Sequence, residues 1–198
     1  MHYAQQHSVA DDAFQPVIKA LMGLSRRNFL RFSGAGAVTA LAGGVSLAAL
    51  PPGVRFMNDA EAALFTRLAQ VVLPVAGSTL TPWTPEGLLQ TLDGALLATM
   101  EPHILTGLKG GIQYFNDGPM TVYNKRFTDL NDVEAMQFCD AWGNSALPPQ
   151  RGLMMGLKKL VQLSYWANPA SWKPLGYDGP MTKRLGIPSL GNAQLPRR

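Results

Sequence analysis

The sequence predicts an all-α domain, and three observations carry that prediction. Apolar residues recur at helical spacing in five separate segments between residues 58 and 167. Each segment is bounded by cap residues or prolines at helix-start and helix-stop positions. No segment combines strict alternation with β-branched and aromatic enrichment, so no strand is expected.

The five helices follow in order. Asn58 with Glu61 three residues later forms a capping-box pattern, and Leu64, Phe65, Leu68, Val71 and Val72 then share one face until Pro74. Residues 75–84 read as a loop containing Gly77-Ser78. Thr84-Pro85-Glu86 starts the second helix, with Thr84 as cap and proline at the first helical position. Its stripe is Leu88, Leu89, Leu92, Leu96 and Leu97, with a break near Glu101-Pro102. The third helix runs from about His103 to Phe115 with Ile104, Leu105, Leu108 and Ile112, and Asn116-Asp117-Gly118-Pro119 stops it. Asn131 and Glu134 repeat the capping box before Val133, Met136, Phe138, Cys139 and Trp142, and Gly143-Asn144 end that helix. Pro148-Pro149 precede the fifth, which carries Leu153, Met154, Leu157, Leu160, Val161 and Tyr165 as far as Asn168-Pro169.

Two flanking stretches are different. Ser25-Arg26-Arg27-Asn28-Phe29-Leu30-Arg31 pairs two arginines, and 19 uncharged residues, Phe32 to Leu50, follow before Pro51-Pro52. A charged segment, a weakly apolar Gly/Ala-rich segment and small residues at Ser46-Leu47-Ala48 make the layout of a targeting peptide. The paired arginine narrows it to twin-arginine export, with Ser25, Arg26, Arg27, Phe29 and Leu30 as the signal. The expected division is a leader over 1–48 (head 1–31, apolar part 32–50), a helical domain over 49–167 and an extended arm over 168–198. Met22 is a second candidate start, and cleavage is expected after Ala48. Residues 168–198 carry Pro169, Pro174, Pro180, Pro188 and Pro196 among four glycines, with Trp172 and Tyr177, and show no helical period. Aromatics are scarce in disordered tails, so this reads as an ordered arm on another surface.

Composition excludes several classes. Lys and Arg number 17 against 13 Asp and Glu, for a net charge of +4, but Lys19, Arg26, Arg27 and Arg31 lie in the leader with Asp11 and Asp12. The remainder carries half that excess and no basic face able to track phosphates. Charged residues make up 15% of the chain, against about 25% in an average soluble protein, as expected of a surface covered by something else. His103 is the one histidine outside the leader, too few ligands for a metal site. No Cys-x-x-Cys-His, phosphate-cradling glycine loop or Gly-x-Ser-x-Gly elbow occurs. Only Cys139 and His103 offer a nucleophile and base, and Asp140 beside Cys139 disfavours a thiolate. No catalytic, cofactor or metal residue is therefore assigned to this chain.

What stands out instead is the run from Tyr165 to Pro180, in which Tyr165, Trp166, Trp172 and Tyr177 fall within 13 residues. It reads equally as a clasp that holds the arm on the last helix and as an anchor set for a partner, since Trp and Tyr dominate interface energetics.

With these residues in view, the chain resembles the small subunit (subunit 3, or gamma subunit) family of membrane-bound gluconate 2-dehydrogenase. The resemblance rests on the leader Ser25–Arg31, on Phe65-Thr66-Arg67-Leu68-Ala69-Gln70-Val71-Val72-Leu73-Pro74, and on Asn168-Pro169 through Trp172 followed by Leu175-Gly176-Tyr177-Asp178-Gly179-Pro180. It covers most of residues 25–180. It implies a non-catalytic accessory subunit that folds with, stabilises and co-exports a large flavoprotein of the glucose-methanol-choline type. In that arrangement FAD sits in the large subunit and haem c in a third, multihaem cytochrome c subunit, and the complex reaches the periplasm through the twin-arginine translocase and associates with the inner membrane. The partner interface expected in this chain comprises Cys139, Tyr165, Trp166, Pro169, Trp172, Gly176, Tyr177, Gly179 and Pro180. Cys139, the one cysteine, cannot close an internal disulfide; it reads first as a buried thiol packed as a small hydrophobe, and alternatively as a bridge to the flavoprotein in an oxidising compartment. The alternatives are an enzyme in its own right and a scaffold anchored in the membrane by an uncut leader.

Overall fold

The structure, a computed structural model, describes residues 14–23, 50–73 and 75–186. Among them there is no strand, so the chain is all-α as expected. Helix α1 spans residues 14–23. Then come α2 (Asp59–Val72), α3 (Pro85–Thr91), α4 (Pro102–Asp117), α5 (Met120–Tyr123), α6 (Asp132–Gly143), α7 (Pro148–Trp166) and α8 (Met181–Arg184).

Local signals set the helix ends. At α2 and α6 the Asn58 and Asn131 side chains accept from the backbone N–H of Glu61 and Glu134, whose carboxylates accept in return from the asparagine N–H groups, at 2.9–3.0 Å throughout. Thr84 caps α3, and Pro102 and Pro148 open α4 and α7. The leucine stripe of the second helix does not continue as regular α-helix. It passes into a π-helical turn, Leu92–Leu96, and a 3-10 turn, Leu97–Thr99, while Leu88, Leu89, Leu92, Leu96 and Leu97 all stay buried.

α7 is the central helix. It packs on α2, α6, α3, the π turn and α4, and α2 packs in addition on α4, α6 and α3. Leu64, Phe65 and Leu68 of α2 share the fully buried centre with Leu153, Leu157, Leu160 and Val161 of α7. A second cluster is aromatic. Phe115 lies 4.8, 5.2 and 5.0 Å from Phe127, Phe138 and Trp142, each edge-on, the arrangement that ring quadrupoles favour.

Three features depart from the sequence reading. Residues 14–23, placed there in the leader head, form a helix whose Val17 and Leu21 are buried against the rest of the domain. Val133 and Met136, assigned to the apolar side of α6, are 58% and 48% exposed, because Ala135, Phe138, Cys139 and Trp142 define the inward face. The arm is not extended over its described part. Pro169 starts one 3-10 turn, Pro169–Ser171, Pro174 lies second in another, Lys173–Leu175, and Met181–Arg184 adds one α turn. No helix among the described residues is long and apolar enough to cross a membrane. The expected export signal Ser25, Arg26, Arg27, Phe29 and Leu30, and the cleavage point at Ala48, lie outside the described residues.

Candidate partner-docking surface

The C-terminal end of α7 builds the most elaborate local structure outside the core. Tyr165 is buried, with its ring edge-on to Trp166 at 4.7 Å. Its hydroxyl donates to the Thr81 carbonyl at 2.8 Å, and Thr81 Oγ1 donates to the Ala170 carbonyl at 2.9 Å. The loop before α3 is thereby stitched to the arm, and burial pushes the Tyr165 phenol above its ordinary pKa. Asn168 Oδ1 accepts from Ala170 N–H, and buried Ser171 donates from Oγ to the Asn168 carbonyl at 2.7 Å. These bonds close the turn that follows α7 on itself.

Trp172 closes the structure. Its indole Nε1 donates to the Trp166 carbonyl at 2.7 Å, and Tyr177 packs on it edge-on at 5.3 Å. The turn between them needs Gly176, whose φ is +67°, and Gly179, at φ +98°, passes so close that a Cβ there would sit 3.3 Å from the Trp172 ring. Tyr165, Trp166, Trp172, Tyr177 and Gly179 are thus brought together. Pro169 and Gly176 lie exposed on the same segment, and Pro180 is half-buried.

The arm also exposes large apolar side chains, alongside the charged Lys173, Asp178 and Arg184. Leu175, Tyr177, Met181 and Leu185 are 58%, 46%, 66% and 61% exposed. Four large apolar side chains within 11 residues form the densest exposed apolar run in the described part of the arm; Leu175 and Tyr177 sit on the Trp172 turn, Met181 and Leu185 at the two ends of the short helix after it. A second patch is the Val133–Met136 face of α6.

Cys139 is separate from the clasp. It lies on the inward side of α6, is 6% exposed and is free. Burial first, and the Asp140 charge second, push its thiol from an ordinary 9.0 to about 12. His103 sits at the exposed start of α4, with Nδ1 3.4 Å from a Glu101 carboxylate oxygen. The cysteine and histidine occupy different helices, one enclosed and one in solvent, and share no hydrogen bond.

Two carboxylates are buried and occupied; the sequence reading missed Asp93 altogether and saw Glu61 only as a cap, without its lysine partner. Asp93, 1% exposed, accepts from the backbone N–H of Arg55 at 2.9 Å and of Phe56 at 2.8 Å. Glu61, 7% exposed, caps α2 and accepts from Lys109 Nζ at 2.7 and 3.0 Å. The Asp93 bonds and the Glu61–Lys109 pair are not visible in one dimension, since those partners lie 37 or more residues away in sequence. Among the described residues no group of three or more His, Cys, Asp or Glu side chains is placed to hold a metal ion. No protein-family model, curated protein or solved structure matches the chain.

Proposed function

We propose that this chain is the non-catalytic small subunit of an exported flavin-dependent sugar or alcohol dehydrogenase. It folds against the large flavoprotein subunit, stabilises it and carries it through the twin-arginine translocase to the periplasm. The observation that supports this most is the clasped arm, in which a hydrogen-bonded frame around Trp172 carries Leu175 and Tyr177 exposed, with Met181 and Leu185 exposed on the helical turn that follows. Ordered aromatic and aliphatic side chains lose little conformational freedom on binding, so such a frame suits a permanent interface. FAD belongs to the large subunit and haem c to a cytochrome subunit of the same assembly. The resemblance of Ser25–Arg31 and Asn168–Pro180 to gluconate 2-dehydrogenase small subunits supplies the partner class.

The export half of the proposal is tested by replacing Arg26 and Arg27 with Lys in the native cell and fractionating it. Retention of both this chain and the flavoprotein in the cytoplasm is expected. A flavoprotein that reaches the periplasm while this chain stays behind would reject co-export.

A further inference from the structure

Residues 14–23 precede the arginine pair, yet α1 is packed as a full member of the domain. Phe14, Val17, Ile18 and Leu21 fall at helical spacing on one face, with Val17 2% and Leu21 0% exposed. The groove that receives them lies between α4 and α7 and is floored by glycines. A Cβ at Gly107 would fall 2.5 Å from Val17 Cγ2, one at Gly152 2.6 Å from Ile18 Cδ1, and one at Gly156 2.4 Å from Leu21 Cδ1. Those separations are shorter than real Cβ contacts, so the groove accepts this helix only because its walls lack side chains at three points. Phe14 stacks on Tyr114 of α4 at 5.7 Å and 17°. At the other end Lys159 Nζ donates to the Met22 carbonyl at 2.7 Å, satisfying an acceptor in the last turn of α1.

We propose that the α4–α7 groove is a helix-docking site whose occupant is the chain's own segment 14–23, and that this segment stays bound as a separate piece after the chain is cut between residues 24 and 49. The docking stands independently of the export reading. Val17 and Leu21 are then the anchors, Gly107, Gly152 and Gly156 the complementary surface, and Lys159 the polar lock.

The test uses the full chain with a specific protease site inserted between residues 36 and 37. After complete cutting, the head fragment is expected to co-elute with the domain on size exclusion, and an added synthetic peptide of residues 12–24 is expected to exchange with it. Leu21→Asp and Gly156→Leu, cut in the same way, are expected to release the fragment. Leu21→Asp leaves the groove intact, so a folding failure of Gly156→Leu does not decide the matter. In the uncut wild-type chain, amides 17–23 are expected to exchange with deuterium at least tenfold more slowly than in Leu21→Asp. A wild-type fragment that elutes apart from the domain, or equal exchange in the two uncut chains, would overturn the proposal.

Discussion

Asp93→Asn is the most informative single substitution in the core. The carboxylate is 1% exposed and spans two consecutive backbone donors, Arg55 N–H and Phe56 N–H, at 2.9 and 2.8 Å. It thereby fastens the connector that follows Pro51-Pro52 to the π turn. Asparagine is nearly isosteric but offers one acceptor where there were two, and turns an NH2 group toward the second donor. A hydrogen bond to a charged group contributes about 1.5–3 kcal/mol, and an unpaired buried donor costs about 1–3 kcal/mol. Both bonds are only partly buried, which places the loss at the lower end, about 2 kcal/mol. In a chain of this size that lowers Tm by about 4–8 °C. Asp93→Ala, which leaves both donors unpaired, is expected to cost about twice as much. Urea denaturation followed by circular dichroism gives the answer, with the midpoint falling and the slope unchanged. If Asp93→Asn lies within about 0.5 kcal/mol of wild type, the range of an ordinary surface substitution, the carboxylate does not hold the connector.

Three further outcomes are expected. With its thiol pushed up to about 12 from an ordinary 9.0, native Cys139 carries about a thousandfold less thiolate at pH 8 than in the unfolded chain, so a thiol-specific reagent should label it slowly until denaturant is added. The matching stability is full below pH 9 and declines as pH rises toward 12, because the unfolded thiol ionises first; equal labelling rates in native and unfolded chains would contradict this. Glu134 is held below the ordinary carboxyl value of 4.5, first by the Asn131 N–H and then by Lys125, so its contribution is full above that value and lost as pH falls through the lowered one; NMR titration of its carboxyl carbon should show a midpoint under 4.5 that Lys125→Ala raises. Trp172→Ala removes the bond to the Trp166 carbonyl and the contact with Tyr177, so limited proteolysis within residues 173–186 should quicken at least tenfold with the far-UV spectrum little changed, whereas unaltered proteolysis would show that the arm is held by something else.

Most of the helical core was legible because its signals are local. Both Asn-x-x-Glu capping boxes and the proline helix starts at 85 and 148 are positioned by residues within one turn, while Pro102, read as a break, proves to be the first residue of α4. The fifth helix placed all six of its named apolar residues inside, since a stripe packed on both sides by neighbours leaves little freedom. The α6 stripe was read wrongly because Val133 and Met136 are apolar but lie on the outer side, and one-dimensional hydropathy does not distinguish a core face from an exposed apolar one. The α1 helix was present as Phe14, Val17, Ile18 and Leu21, a complete helical stripe, but its position ahead of Arg26-Arg27 drew it into the leader. A chain started at Met22 would lack it. The clasp was legible in composition only. That Trp172 bonds back to Trp166 while Tyr165 reaches Thr81 depends on contacts between α7, the arm and a loop 84 residues upstream.

The companion role is tested most directly on the complex taken from its native source through a tag on this chain. The co-purified large subunit should carry all of the flavin and all of the substrate-dependent dye reduction, and this chain, expressed in cells without that flavoprotein, should carry neither. Turnover of a sugar or alcohol by this chain alone, or its purification from the native source with no flavoprotein bound, would contradict it.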